Sequence, residues 1–445
     1  METRAAAERA LSAVFRQELP KLIGALARWL RDVGRAEEIA QEALLIALEK
    51  WPEAGVPENP GAWLMATAKH RAFNELRRGQ MSARKHEELG READAELGAE
   101  QSEQQLLERL DDDVGDDLLR LVFIACHPVL ATEARVALTL RLLGGLSTAE
   151  IARAFLLPEP TIAQRIVRAK RTLAEQHVPF EVPHGSELSP RLGSVLEVVY
   201  LIFNEGYSAS AGDDWLRPAL CEEALRLAAL LAALAPSESE AHGLLALLEL
   251  NASRLLARTD ARGEHVLLLD QDRSRWDAAR IARGLAALAR GEALGGAGEP
   301  YALQAAISAC HARAAVAAET DWQRIAALYA QLLVRVPSPV VALNRAVAVS
   351  RAEGPAAGLL LLDELADEPN LARYPLLPAA RADLLQQLGR LEQARTEFER
   401  AAALTQNARQ RARLLERARA LEAGKPDGPE PPIEETRLPR RPGPS

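Results

Sequence analysis

Apolar and polar positions follow a helical spacing most regularly in residues 145–173, where the pattern predicts two short helices with a sharp corner between them. Ser147 and Glu150 have the spacing of a capping box, so the first helix should begin directly after Ser147. Pro158 and Pro160 should end that helix, and Pro160 is tolerated in the first turn of the next one.

The second of these helices is predicted to have two faces. Its apolar stripe should pack inward and consists of Ile162, Ile166, Ala169 and Leu173. Its polar face consists of Thr161, Gln164, Arg165, Arg168 and Arg171. Hydroxyl, amide and guanidinium groups are the ones that contact base edges and phosphates in a major groove. We interpret the stretch as a helix-turn-helix that reads DNA; the alternative is a basic surface helix of an ordinary helical protein.

Further amphipathic patterns precede residue 80. Residues 8–34 read as one helix that Pro20 should kink or split. A second helix follows Gly34, with an acidic, partly apolar stripe formed by Glu38, Gln41, Glu42 and Leu45. Asn59 should cap a third helix with Pro60 in its first turn. The second half of that helix is crowded with basic and polar residues: Lys69, His70, Arg71, Asn74, Arg77 and Arg78.

The pattern breaks between residues 81 and 115, where apolar positions are sparse. Residues 81–117 carry thirteen acidic residues against four basic ones, which would repel duplex DNA and is typical of a solvated linker. Two more helices are predicted between residues 116 and 143, the first ending at Pro128 and the second capped by Thr132. They should pack under the helix-turn-helix.

Apolar helical runs with short breaks recur from about residue 186 to 424 and predict a helical array. One segment resembles a tetratricopeptide repeat, on Ala382, Leu385, Leu388–Gly389, Ala394, Phe398 and Ala401. The Pro-rich residues 425–445 should be disordered. Two polar stretches, 201–210 and 259–276, stand out within the array. Their carboxylates, including Asp270 and Asp272, lack an accompanying nucleophile, so we prefer buried polar networks and loop anchors to catalysis.

Composition agrees with an all-α protein: apolar residues make up 48% of the chain and aromatic residues only 4%. The net charge of −9 argues against a general nucleic-acid coat and makes the local basic stretches more informative. Cys126, Cys221 and Cys310 predict small buried side chains in a reducing cytoplasm, without disulfides. Cys126–His127 lacks the further ligands that a zinc site needs, so no metal or other cofactor is predicted.

The helix-turn-helix resembles the promoter-reading element of bacterial sigma factors, in particular the extracytoplasmic-function group. The resembling residues are Glu150-Ile151-Ala152, Leu157-Pro158, Thr161-Ile162, Arg165, Arg168-Ala169 and Arg171. Leu156 stands where the family usually has glycine, so the corner should be built differently. The resemblance covers residues 8–175, and the array beyond resembles the subgroup with a tetratricopeptide-like C-terminal extension.

The resemblance implies two small sigma-type helical domains followed by an α-solenoid. Residues 1–80 would be region 2, 81–115 the linker, 116–178 region 4, 186–424 the array and 425–445 the tail. Glu38, Gln41, Glu42 and Leu45 would bind core RNA polymerase, and the basic half of the third helix would hold the minus-ten element. The polar face described above would read the minus-thirty-five element. The array would control activity in cis, through contact with the sigma lobes.

Two other classes of function remain open from the sequence. A helix-turn-helix regulator would bind operator DNA without polymerase, with the array receiving a protein partner, but it would leave the first eighty residues unexplained. An enzyme would need turnover that depends on Asp270 or Asp272, and the residues show no such chemistry. We therefore expect a cytoplasmic, non-enzymatic initiation factor.

Overall fold

The computed structural model describes residues 18–84, 114–155, 157–183, 187–207, 216–260, 266–405 and 408–422, and across them the chain is all-α. The chain divides into two compact units, Met1–Val199 and Tyr200–Ser445. Most of the predicted acidic linker, the predicted tail and the corner residue Leu156 lie outside the described residues.

The helices of the first unit follow the predicted pattern closely. They are α1 (residues 18–30), α2 (Val33–Ala54), α3 (Pro60–Arg84), α4 (Val114–Ala125), α5 (Thr132–Leu142), α6 (Thr148–Phe155), α7 (Glu159–Glu175) and the first half of α8 (Leu188–Tyr207).

Local hydrogen bonds explain where α2 and α3 begin. The Asp32 side chain accepts from Arg35 N at 3.0 Å and caps α2, so the break falls before Val33 and the prediction of one helix up to Gly34 is wrong. The Asn59 side chain accepts from Ala62 N at 3.0 Å, which confirms its predicted role at the start of α3. Trp51 and Trp63 then pack edge to face at 5.4 Å and join the two helices.

The helix-turn-helix forms as its sequence predicts. Ser147 N donates to Glu150 Oε2 at 2.8 Å and Glu150 N donates to Ser147 Oγ at 3.2 Å, which completes the capping box of α6. The four apolar residues predicted to face inward from α7 are all at most 5% exposed. The predicted cap of α5 is wrong, because Thr132 is its first helical residue and its hydroxyl accepts from Arg135 Nη2 at 2.9 Å.

The second unit is an array in which helices pack mainly on their neighbours in the chain, as expected for a helical repeat array. After the end of α8 it contains α9 (Pro218–Leu234), α10 (Ser239–Ala252), α11 (Ala278–Ala293), α12 (Pro300–Arg313), α13 (Trp322–Arg335), α14 (Pro339–Glu353), α15 (Pro355–Glu364), α16 (Leu376–Gln387), α17 (Leu391–Leu404) and α18 (Ala408–Glu422).

The segment that resembles a tetratricopeptide repeat spans the α16–α17 pair. Gly389 lies between the two helices with φ 73°, a conformation that favours glycine. Ala394, Phe398 and Ala401 are each 0% exposed, so the small and aromatic positions of the pattern are core positions. Elsewhere, a Cβ on Gly206 would lie 2.7 Å from Cys221 N, so glycine allows α8 and α9 to approach closely.

Candidate nucleic-acid and polymerase-binding surfaces

The polar face of α7 is available to solvent. Gln164, Arg168 and Arg171 are exposed, and Thr161 and Arg165 are partly exposed. Arg171 Nε donates to Glu175 Oε1 at 2.6 Å, an exposed pair one turn apart that keeps this guanidinium beside the face. The five side chains chosen from sequence therefore lie on one surface, opposite the buried stripe, as major-groove reading requires.

Val167 belongs to the same surface and was missed by the sequence analysis. Its side chain is 63% exposed and lies one turn from Gln164 and from Arg171. The other large aliphatic side chains of α7 are buried. The sequence prediction of DNA contacts rested on hydroxyl, amide and guanidinium groups, which valine lacks. An isopropyl group presented to solvent between hydrogen-bonding side chains is suited to packing on a thymine methyl group.

The minus-ten candidates on α3 divide into two groups. His70, Arg71 and Asn74 are exposed, whereas Lys69 is only 5% exposed and so does not present its ammonium group to solvent. The side chains of Arg77 and Arg78 lie outside what the structure describes. Arg71 forms an ion pair with Glu42 at 3.1 Å, which places basic residues of α3 next to the acidic stripe of α2.

The polymerase-binding candidates lie along the outer side of α2. Leu45 is 59% exposed, and Leu48, one turn away on the same helix, is 41% exposed. The Glu38 side chain is 59% exposed, while Gln41 and Glu42 are partly buried. Exposed leucines bordered by carboxylates form a mixed apolar and acidic surface of the kind that binds another protein.

Glu37, next to those candidates, joins α2 to the helix-turn-helix. It is 2% exposed, and its carboxylate accepts from Arg141 Nε of α5 at 2.6 Å. Lys170 of α7 forms a second ion pair with the other carboxylate oxygen. One buried carboxylate thus neutralises two cations, one from α5 and one from α7. No local sequence pattern could indicate this contact, because Arg141 lies 104 residues away.

We expect Glu37→Gln to destabilise the first unit by about 3 kcal/mol, because it removes a buried carboxylate and leaves two partly buried cations, Arg141 and Lys170, uncompensated. Glu38→Gln is the matched control: its exposed pair with Arg35 should contribute less than about 1 kcal/mol. Urea unfolding followed by tryptophan fluorescence measures both variants. Equal midpoints for the two variants would contradict a central role for Glu37.

A second set of long-range bonds ties α8 to α4 and α5. Arg135 is 9% exposed, donates to Ser194 Oγ and pairs with Glu197 at 3.3 Å. Ser194 Oγ in turn donates to the Cys126 carbonyl at 2.6 Å, and Arg191 Nη2 donates to the Phe123 carbonyl at 3.0 Å. The first half of α8 is therefore held by charged and polar groups that belong to the helices beneath the helix-turn-helix.

The contacts of Cys126 and His127 indicate a structural role for both residues. Cys126 is buried beside Thr139, and burial raises the pKa of its thiol to about 11, so it stays protonated. His127 accepts a hydrogen bond from Val129 N on Nδ1 at 3.1 Å, which requires a neutral ring nitrogen. Burial, helped by the charge on Arg191, lowers the pKa of His127 to about 4. No cluster of three or more metal-binding side chains occurs among the described residues.

The His127 shift predicts a pH-dependent stability. Its folded pKa of about 4 lies below the ordinary value of 6.5, so its contribution is present above pH 6.5 and is lost as the pH falls towards 4. His127→Gln should flatten the fall of the unfolding midpoint over this window. The exposed His177→Gln variant is the control, and the same slope in both variants would refute the assignment.

The two polar stretches of the array form internal anchors. Glu205 pairs with Arg217, and Arg273 Nη1 donates to the carbonyls of His311 and Ala314 at 2.6 Å. Asp272 is exposed and accepts from Ser274 Oγ and from Ser274 N, and these two hydrogen bonds lower the pKa of its carboxyl. These bonds agree with the preference for polar networks and loop anchors over catalysis.

Two known protein families match the first part of the chain. Residues 14–81 match the family model of sigma-70 region 2, and residues 120–173 match that of sigma-70 region 4. The ECF RNA polymerase sigma factor SigK of Mycobacterium ulcerans (strain Agy99) is 30% identical over 157 residues, covering 34% of this chain and 78% of that protein. This chain belongs to the extracytoplasmic-function sigma factors.

The C-terminal part of this sigma factor also has relatives. Residues 191–292 match a family of unknown function, DUF6596. An uncharacterized protein of Rhizobium meliloti (strain 1021) is 44% identical over 391 residues, 87% of this chain and 90% of that protein. No solved structure was found to match the chain.

The sigma factor therefore binds core RNA polymerase and directs it to promoter DNA, and it is not an enzyme. None of the helices that the structure describes is long and apolar enough to cross a lipid bilayer.

Proposed function

We propose that α7 reads the minus-thirty-five element through Thr161, Gln164, Arg165, Arg168 and Arg171, and that Val167 adds an apolar contact. The observation that carries the proposal is the solvent-facing row on α7, which presents three arginines and no acidic residue between residues 161 and 171. Gln164 suits adenine, arginine suits guanine, and Val167 suits the thymine methyl group.

The Val167 contact can be tested with modified DNA. Replacing one thymine of the minus-thirty-five element by uracil, which removes only the methyl group, should weaken binding of the wild-type protein several-fold. Val167→Ser should weaken binding to the thymine site by a similar factor and be indifferent to the uracil replacement. Fluorescence anisotropy with holoenzyme measures the four combinations. Independent, additive losses would show that Val167 does not contact the methyl group.

Helices α2 and α3 supply the remaining contacts. Basic and polar residues of α3 (His70, Arg71, Asn74 and, further along, Arg77 and Arg78) hold the opened minus-ten strand. The outer side of α2, with Glu38, Gln41, Glu42 and Leu45, docks on the polymerase; its mixed acidic and apolar surface supports this assignment.

The C-terminal array controls this activity in cis, and α8 is the element that carries the control. Arg191, Ser194 and Glu197 belong to the segment that matches DUF6596, yet their bonds run to α4 and α5 of the sigma part. One continuous helix of twenty residues then leads into the array. A change in how the array holds the end of α8 would shift the bonds on Arg135, and through them the support of the helix-turn-helix.

A further inference from the structure

The two polar stretches of the array meet around two aromatic rings, those of Tyr207 and Trp276. The Arg258 Cζ lies 3.8 Å from the centre of the Tyr207 ring, and the Arg273 Cζ lies 4.9 Å from the centre of the Trp276 ring. The Arg254 Cζ lies 5.9 Å from both ring centres. Three guanidinium groups from one unit are therefore gathered around a single aromatic pair; we call this set the arginine cluster.

The arginine cluster is largely withdrawn from water. Arg254 is 5% exposed, Arg258 2% and Trp276 7%, while Arg273 is partly exposed. A cation removed from water is costly unless an anion or several hydrogen-bond acceptors replace its hydration. Interaction with ring faces recovers part of this cost, but a ring face does not replace the acceptors that the edge N–H groups have in water.

The acceptors of Arg254 and Arg273 are neutral and incomplete. Arg254 Nη2 donates to Asn251 Oδ1 at 2.7 Å, and Arg273 donates to two carbonyls and to Thr320 Oγ1. Neither Arg254 nor Arg273 pairs with a carboxylate within the described part of the chain. Around Trp276, the buried donors Arg254 Nη1, Arg273 Nε and Trp276 Nε1 have no acceptor among the described residues.

Electrostatic repulsion within the arginine cluster agrees with this imbalance. The pKa of Arg273 lies below its usual range, first because of burial and then because of the charge on Arg254. Two carboxylates of the same unit pair with other arginines: Glu205 with Arg217, and Glu249 with Arg280 and Arg283. Glu319 acts on Arg273 by charge without pairing with it.

We infer that the second unit binds a small dianionic oxyanion, a phosphate group or a dicarboxylate, between Arg254 and Arg273 beside Trp276. Two guanidinium forks present donors in the geometry that carboxylate and phosphate oxygens accept, and the indole N–H adds a third. Because the ring faces already carry guanidinium groups, the site selects for negative charge and not for an aromatic ligand.

The test uses the full chain and two probes, inorganic phosphate and succinate, titrated at constant ionic strength with sodium chloride. We expect at least one probe to raise the melting temperature along a saturating curve with half-saturation at millimolar concentration or below. A response to phosphate alone indicates a phosphorylated ligand, and a response to succinate alone indicates a dicarboxylate. No saturating response to either probe would overturn the proposal.

Substitution separates the site from a purely structural cluster. Arg254→Met removes the charge and the unmatched donor but keeps the bulk, so it should weaken probe affinity at least tenfold without lowering the melting temperature in probe-free buffer. Arg226→Met, which removes an exposed arginine paired with Glu223, should leave affinity unchanged. Unchanged probe affinity in Arg254→Met would overturn the proposal. Because the probe titration involves neither DNA nor polymerase, its result is independent of the proposed function. If Arg254→Met does not fold, the phosphate and succinate titrations of the wild-type chain still test whether the site binds an anion.

Discussion

Arg168→Ala should reduce promoter binding by about 5-fold to 150-fold, which corresponds to the roughly 1–3 kcal/mol expected for a bidentate contact between arginine and a base. Arg168 is exposed at the centre of the polar face of α7 and has no hydrogen bond or ion pair within the described residues. The substitution therefore removes a contact to DNA without removing an internal one, so stability should change by less than about 0.5 kcal/mol.

The pattern of the loss identifies the contact. If Arg168 reads a base, Arg168→Ala should weaken the cognate promoter and become indifferent to the base pair at one position. If Arg168 contacts phosphate, all promoters should weaken alike and the salt dependence should become shallower by about one ion. Arg226→Ala, an exposed arginine in the array, is the matched control. Holoenzyme titrations at several salt concentrations measure these effects, and binding equal to that of the control would remove Arg168 from the interface.

A chain that ends at Val182 should give little or no transcript. Truncation there removes α8 and leaves the buried Arg135 without Ser194 and Glu197. Loss of one partner of a buried charge pair costs about 3–5 kcal/mol, a large fraction of the stability of a small domain. The helix-turn-helix would lose its support, so we expect initiation to require the C-terminal extension.

Two further chains distinguish the role of α8 from a general effect of truncation. A chain that ends at Glu422 keeps every described helix and should retain full activity. The full-length Glu197→Gln variant should show a smaller loss of stability in the same direction, because it removes only the carboxylate of the pair. More transcript from the chain ending at Val182 than from the full chain would mean that the extension inhibits, contrary to this account.

Local sequence signals predicted most of the helix-turn-helix. The spacing of Ser147 and Glu150 located the start of α6, and the four-three-four spacing of apolar residues identified both faces of α7. Such signals are readable because capping boxes and helix faces involve residues within one or two turns of each other. Boundaries were less predictable where two signals competed, as at Asp32 and Gly34, where the side-chain cap decided the outcome.

The contacts that hold the helix-turn-helix in place could not be predicted in this way. Glu37 reads as one more acidic residue of α2, and only the fold places it against Arg141 and Lys170. Ser194 likewise reads as an ordinary helical serine, although it meets Arg135, which lies 59 residues earlier. Val167 was missed for another reason: its residue type predicted burial, whereas its position on the helix predicted exposure.

The central claim is that this chain brings core RNA polymerase to specific promoters. Run-off transcription with purified core polymerase on genomic fragments tests it most directly. We expect transcripts from discrete start sites that require both the polymerase and the chain. Absence of transcripts, combined with a shift of DNA by the full chain alone, would contradict the account and favour a helix-turn-helix regulator that binds operator DNA.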